Sequence, residues 1–328
     1  MIQPKSLSAG ESQSARLSPA LAVRRRSDKL ARWLFFIFSI IPVALAIFIF
    51  VLLIYKSWPI LKVNSIWQLL TGQVWKPEEG LFGFWPFITG TLWVTLTALL
   101  IAVPPCLLTA IYLSEYAGRN IRAVMKPLLD LLAAIPSVVY GIWGMLAIVP
   151  WIQNRLEPFV QQYLPNFPLL KSDNPTGFGI LAGAIVLAIM IAPFIIAVLY
   201  EVMNNIPSGL KDASLALGTT KLQTIHRVIL PQALPGIIAA VGLGASRALG
   251  ETMAVLMVVG NVAKVPHSIL DAAYPLPALI ANNYGEMMSI PLYDSALMTA
   301  ALILLVIILI FNVTSALVLQ RVLGRMSA

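Results

Sequence analysis

The sequence predicts an all-α protein that crosses a membrane six times, and three observations carry that expectation. The residues AVILMFWYC make up 59% of the 328-residue chain and DEKR only 11%, with mean hydropathy +0.86, whereas a soluble domain carries roughly 25% charged residues. Six apolar runs are long enough to span the roughly 30 Å hydrocarbon core, which takes about 20 helical residues. Lysine and arginine fall unevenly between the two sets of connecting loops. Only helices and closed barrels satisfy the backbone in lipid, and runs of this length are helices. So few charges cannot cover a water-soluble surface, which excludes a soluble globular enzyme. Disorder needs low hydrophobicity and is excluded too.

Taken in order, residues 1–29 read as a disordered cytoplasmic tail, rich in serine (Ser6, Ser8, Ser12, Ser14, Ser18) and then basic (Arg24, Arg25, Arg26, Lys29). A membrane domain follows over 30–325, with spans at approximately 33–54, 88–113, 128–151, 178–200, 235–260 and 295–319. The first run is longer than the roughly 7–15 residues of a signal-peptide core and ends in Tyr55-Lys56-Ser57-Trp58-Pro59, so it reads as a retained span. Six spans put both termini on one side. The tails and even-numbered loops hold fifteen of the 22 basic residues and the other loops six, with Arg247 left inside a span. The positive-inside rule therefore places both termini in the cytoplasm. Trp58, Trp67, Trp75 and Trp85 suit an outer interfacial belt. Pro42, Pro104, Pro105, Pro136 and Pro193 interrupt the spans, and each removes a ladder donor.

Several chemistries are missing. The single Cys106 forms no intrachain disulfide or multi-thiolate metal site. His226 and His267 are the only histidines, which argues against histidine-rich metal or haem sites. Gly218-Thr219-Thr220-Lys221 has the wrong order for a phosphate-binding P-loop, so no cofactor is expected on this chain.

The loop 201–234 is the first informative feature. Leu210, Ala213 and Leu217 recur at helical spacing, and so do Leu222, Ile225 and Ile229. Gly218 suits a C′ position with φ > 0, Thr220 with Gln223 suits a capping box, and Pro231 and Pro235 are expected to stop the second helix before the fifth span. Two short amphipathic helices thus meet at a glycine, with their apolar stripes against either the membrane domain or a cytoplasmic partner. The run Asp212-Ala213-Ser214-x₃-Gly218-x₉-Val228-x-Leu230-Pro231 resembles the Glu-Ala-Ala loop of ABC importer permeases, with Asp for Glu, Ser for the second Ala and Val for Ile. The resemblance implies the type I ABC importer permease fold. It also implies that the first short helix couples to a separate cytoplasmic P-loop ATPase dimer, where ATP and Mg²⁺ are bound. His226 and Lys221 then read as solvated or docking residues.

In the fifth span Arg247 and Glu251 lie four apart, on one helical face. Each charge at that depth costs at least about 2.5 kcal/mol, and intramembrane charges usually face a cavity and mark a transport path. A small-residue stripe of Gly242, Ser246, Gly250 and Ala254 runs beside them and suits close helix packing. Arginine suits a tetrahedral oxyanion. Glu251 is expected to position Arg247 and neutralise it between ions, because conduction needs release as well as entry. A buried pair holding two helices together is the structural alternative.

Ser246-Arg247-Ala248-Leu249-Gly250-Glu251-Thr252-Met253-Ala254-Val255, then Gly260-Asn261, resembles the phosphate-specific (Pst) importer permeases. So do Phe82-Gly83-Phe84-Trp85-Pro86-Phe87-Ile88-Thr89-Gly90-Thr91-Leu92 and Tyr112-Leu113-Ser114-Glu115-Tyr116, and the first outer loop looks like the PstC type. The likeness covers roughly 30–325. It implies a multi-pass inner-membrane subunit with a second, PstA-type permease, the ATPase dimer and an external phosphate-binding protein as partners. Arg247, Glu251 and Ser246 would line the substrate path, and the outer loops 55–86 and 261–294 would meet the binding protein. The second of these carries Lys264, His267, Asp271, Asn282, Asn283, Glu286 and Asp294. The rivals are a permease for sulfate, molybdate or phosphonate, a passive channel or ion-coupled carrier, and a membrane-embedded enzyme.

Overall fold

The structure is a computed structural model that describes residues 19–164, 167–171, 174–286 and 289–326. Among these, five helices are long and apolar enough to cross a membrane, and a pair of helices bent against each other passes the same test only together, as a broken span or a re-entrant pair. The elements are α1 (Pro19–Val63), α2 (Ile66–Thr71), β1 (Trp75–Lys76), β2 (Leu81–Phe82), α3 (Trp85–Ile111) with a π-helical turn (Tyr112–Tyr116), and α4 (Arg119–Ala134). They continue with α5 (Ser137–Tyr163), α6 (Ile180–Asn204), α7 (Ser208–Ala216), α8 (Lys221–Leu249), α9 (Met253–Leu256), α10 (Leu276–Asn283) and α11 (Tyr293–Met326).

Residues up to Leu52 form one unit and residues from Leu53 onward a second. Residues 1–18 of the expected tail 1–29 lie outside the described residues. From Pro19 the chain is helical, where disorder was expected. Alanine, leucine, arginine and lysine dominate 20–32 and are strong helix formers, so α1 extends back through the basic cluster.

In the second unit α3 and α6 pack along each other more extensively than any other helix pair. Gly90, Val94, Ala98, Ala102, Cys106 and Ala110 recur every fourth residue along α3, and all are buried. This stripe lets the two backbones approach closely. Cys106 belongs to it, buried with its Sγ 3.7 Å from the Ala192 carbonyl of α6, and so reads as a small core residue.

The expected third span, 128–151, falls across two helices, the end of α4 and the first half of α5. Pro136 disfavours helix at the residue before it, and Ile135 accordingly turns to φ −62°, ψ 129°. The chain bends by 87° there. α4, an amphipathic helix, and α5 are long and apolar enough to enter the membrane only together, as a span broken at this bend or a re-entrant pair. Tyr140 Oη donates across the bend to the Leu132 carbonyl at 2.8 Å. Glu157 lies in α5, beyond the expected limit of the third span. It is buried, and one of its carboxylate oxygens has no hydrogen-bond partner.

A second cluster of buried side chains includes Ile60, Leu69, Phe82, Phe84, Phe87, Leu276 and Tyr293. Trp75 sits in its middle, 5.5 Å from the Phe82 and Phe84 rings and 5.0 Å from Phe87. It is therefore a packing centre, while Trp67 is 73% exposed in the manner of an interfacial anchor. The start of α6 is closed by the loop after α9: the Gly179, Ile180 and Leu181 amides donate to the Val258, Asp271 and Ile269 carbonyls at 2.7–3.1 Å. Those are orphan donors of a helix N-terminus, satisfied without water.

Candidate substrate path and coupling surface

The loop after α6 builds the first half of the site. α7 ends at Ala216 and Gly218 takes φ +81°, the left-handed C′ geometry expected of it, with its amide donating to the Leu215 carbonyl at 2.9 Å. The expected capping box is formed: Gln223 N donates to Thr220 Oγ1 at 3.3 Å, and Thr220 N donates to Gln223 Oε1 at 2.9 Å. Ser214 is buried in a hydroxyl cluster with Thr219 and Thr224, at 2.8 and 3.0 Å, which fixes α7 against the start of α8. Asp212 and Ala213 are exposed.

The apolar stripes divide. Ile225 and Ile229 are buried, whereas Leu217 is 85% exposed and Leu222 69% exposed, with Leu210 and Leu215 exposed beside them. The α7 end of this surface is therefore not packed on the chain's own membrane domain.

Pro231 and Pro235 do not stop the second helix, which runs unbroken from Lys221 to Leu249. A π-helical turn at Ile225–Ile229 loosens the ladder just before Pro231, and the Leu230 amide reaches back to the Ile225 carbonyl. Such a turn absorbs the missing proline donor without a break. Leu230 and Pro231 thus lie within the helix, and the coupling loop and Arg247 occupy two ends of one rod, about 39 Å apart at 1.5 Å per residue.

The second half of the site is the far end of that rod. The fifth span was expected to continue to residue 260, but α8 ends at Leu249. Gly250, Glu251 and Thr252 belong to no helix, and a short helix follows at Met253. Glycine has low helix propensity, and the Glu251 carboxylate supplies an alternative partner by accepting from Ala254 N at 3.2 Å. Arg247 and Glu251 therefore do not share a helical face. Among the described residues the ion pairs are Lys76–Glu79 and Lys211–Glu115, so the expected Arg247–Glu251 pair is absent. Arg247 is exposed, in the last helical turn, where a cation complements the helix dipole. Its guanidinium carbon lies 5.4 Å from the centre of the Phe194 ring of α6.

The small-residue stripe is likewise divided. Gly242 is buried against Ser315 of α11, and a Cβ there would stand 2.3 Å from Ser315 Oγ. Ser246 Oγ lies 3.0 Å from the Gly242 carbonyl and 2.5 Å from Asn312 Oδ1 of α11. Gly250 is exposed at the break, and Ala254 lies past it, where a Cβ on Gly141 of α5 would come within 3.2 Å of its Cα. The stripe therefore serves two different neighbours. Ser246 faces α11, one residue round from Arg247.

Phe194, Asn312 and Glu157 are the residues that sequence reading missed. Asn312 is an amide inside an apolar run and could have been singled out on that ground. Phe194 carries no such signal. In the loop 261–294 Asp271 Oδ2 accepts from the His267 and Ser268 amides, both at 2.9 Å, and is a turn cap. The Asn282 and Asn283 side chains donate to Tyr274 Oη at 2.9 and 2.7 Å. Burial raises the Tyr274 phenol above its ordinary value, and these two bonds pull the other way. Lys264, His267 and Glu286 stay exposed.

Comparison with known proteins agrees with this architecture. Residues 106–325 match the family described as binding-protein-dependent transport system inner membrane component. The chain is 36% identical over 287 residues to the phosphate transport system permease protein PstC of Pasteurella multocida, covering 84% of this chain and 89% of that protein. It is 37% identical over 250 residues to the protein of the same name from Xylella fastidiosa, covering 75% and 76%. Among solved structures it resembles an inward-facing MetNI methionine ABC transporter chain, with TM-score 0.50 and 20% identity over 73% of this chain and 94% of that one. That likeness concerns the fold.

Proposed function

We propose a function from one premise: this chain belongs to the family of binding-protein-dependent transport system inner membrane components, among the PstC-type permeases. It is a multi-pass inner-membrane protein, and its role is that of a permease subunit that moves inorganic phosphate inward at the expense of ATP hydrolysed on a partner. The observation that carries this reading is an exposed arginine at the broken end of a membrane helix. Irregular backbone at membrane depth is tolerated where it lines a cavity or is buried in protein, and transporters place substrate sites at discontinuous helices.

Arg247 is the anion ligand. Its guanidinium stays charged and offers a planar fork to an oxyanion. Phe194 supports the cation from one side and leaves its N–H groups toward the path. Glu251 acts through the short turn it caps, and its charge lies two residues beyond the helix end rather than in a direct pair. Ser246 positions the α8 end against α11. The chain makes no covalent bond to phosphate.

The ATPase dimer, with its ATP and Mg²⁺, docks on the exposed leucines around Asp212, Ala213 and Gly218. The excess of basic residues in these loops supports a cytoplasmic position for this surface and both termini. A PstA-type permease supplies the other half of the path, and the external phosphate-binding protein delivers to the outer loops. Because α8 is continuous from the coupling loop to Arg247, movement of its cytoplasmic end is felt at the anion site, which gives alternating access a physical carrier.

The test is reconstitution of the complete complex in proteoliposomes, with ATP-dependent uptake of phosphate and of sulfate measured side by side. Phosphate uptake dependent on the binding protein is expected. Sulfate uptake without phosphate uptake would transfer the reading to another oxyanion.

A further inference from the structure

Three consecutive residues after α3 receive side chains from three other elements. Ser114 offers its carbonyl to Arg122 Nη2 of α4 at 2.6 Å. Glu115 Oε1 lies 2.5 Å from Lys211 Nζ of α7. Tyr116 presents its ring to Lys221 Nζ at the start of α8, 4.6 Å from the centroid. The Glu115 side chain is only 9% exposed and that of Lys211 21%, so water screens this pair far less than Lys76–Glu79, whose side chains are more than half exposed. Ser114 is buried as well, its Oγ 3.7 Å from Met203 Sδ at the end of α6.

We propose that the Glu115–Lys211 ion pair is a coupling lever, through which displacement of α7 by the ATPase is passed to α3 as well as along α8. This rests on the reading of α7 as the coupling helix and assigns its second route into the membrane. The route along α8 ends at Arg247. The route through Glu115 enters α3, whose small-residue stripe is locked to α6, and α6 carries Phe194 beneath the same arginine. Both walls of the anion site then move together. Glu115 and Lys211 touch neither phosphate nor ATP. They are positioning residues: the attraction between two poorly screened charges resists separation, and the contact between their N and O atoms resists compression.

The experiment uses the whole complex in proteoliposomes, carrying Glu115→Gln, Lys211→Met or the exchange Glu115→Lys with Lys211→Glu. Phosphate uptake and ATP hydrolysis are normalised to the amount of assembled complex. Each single variant is expected to retain ATP hydrolysis stimulated by the binding protein while phosphate moved per ATP falls about tenfold, within the usual range of allosteric coupling. The exchange should recover most of that ratio, because the charges are restored with opposite polarity. A wild-type ratio in both single variants overturns the lever, and so does an exchange variant no better than the singles. Failure of the unmodified complex to take up phosphate would overturn the transport reading instead, so the two failures are distinguishable.

Discussion

The guanidinium carbon of Arg247 lies 5.4 Å from the centre of the Phe194 ring, while the Glu251 carboxylate is turned to the amide of Ala254. The cation is therefore held by an aromatic face and a helix terminus, not by a counter-ion. A cation over a ring gains about 0.5–2 kcal/mol, and a helix terminus typically adds about 0.3–1 kcal/mol. Both are small beside the cost of an uncompensated charge in lipid, so the arrangement suits an arginine that meets a hydrated path and a passing anion.

Arg247→Lys separates charge from geometry. Lysine keeps the charge but loses the planar fork of donors. Uptake of phosphate is expected to fall by about 10- to 100-fold in this variant, for roughly 1.4–2.7 kcal/mol of lost anion recognition, and to vanish in Arg247→Ala. The complex should still assemble, since the side chain is exposed in this chain. Uptake at the normal rate in Arg247→Ala removes the arginine from the path.

Glu251 has a structural duty that glutamine can also perform, because an amide oxygen accepts from Ala254 N as a carboxylate does. Glu251→Gln should therefore leave thermal stability within about 0.5 kcal/mol, and Glu251→Ala should cost about 1 kcal/mol, the usual scale of a lost cap. If the negative charge assists release, Glu251→Gln takes up phosphate more slowly than the wild type at saturating phosphate while its apparent affinity is unchanged or tighter. Equal uptake by the two proteins confines the residue to capping.

Leu217 is 85% exposed and contributes little to this chain's own core. Leu217→Glu should leave the thermal stability of the isolated permease pair unchanged. Burying a leucine against a partner is worth about 1.5–3 kcal/mol, so the variant should weaken ATPase docking by about 10- to 100-fold, measured by co-purification at graded ATPase concentration. Undiminished docking would mean that these leucines face lipid or the second permease.

The spans were legible because their signal is length and apolarity, which lipid imposes residue by residue. The elbow at Gly218 and the box at Thr220–Gln223 were legible because both are local backbone chemistry. The errors came where two local rules compete. Pro136 and Pro231 are both helix breakers by composition, but the first turns the chain by 87° and the second is absorbed by a π-helical turn. That choice depends on the neighbours that satisfy the freed carbonyls, which no window of sequence contains. The Arg247–Glu251 pair was misjudged for the same reason. Four-residue spacing means a shared face only while the helix lasts, and α8 ends between the two residues. Phe194 and Asn312 approach the site from other spans, at a distance in sequence that periodicity does not encode.

The contact between α8 and α11 gives a test that does not depend on transport. A Cβ on Gly242 would stand 2.3 Å from Ser315 Oγ and 3.2 Å from Ser315 Cβ. The first distance cannot be accommodated without movement, and overpacking of this kind costs about 1–3 kcal/mol. Gly242→Ala is therefore expected to lower the thermal stability of the purified permease pair in detergent. Ser315→Ala removes the Oγ and leaves a tight but tolerable 3.2 Å approach, so adding it should recover much of the loss, and Ser315→Gly should recover the clash component more fully while adding its own helix penalty of up to about 1 kcal/mol. Because Ser246 lies one turn further along α8 and touches Asn312, separation of the two helices at Gly242 should also reduce uptake, and Ser315→Ala should restore stability and uptake in parallel. Stability restored without uptake would show that the Ser246–Asn312 contact, rather than the closeness of the helices, sets the position of the arginine. A Gly242→Ala protein as stable as the wild type would show that α8 and α11 do not approach this closely.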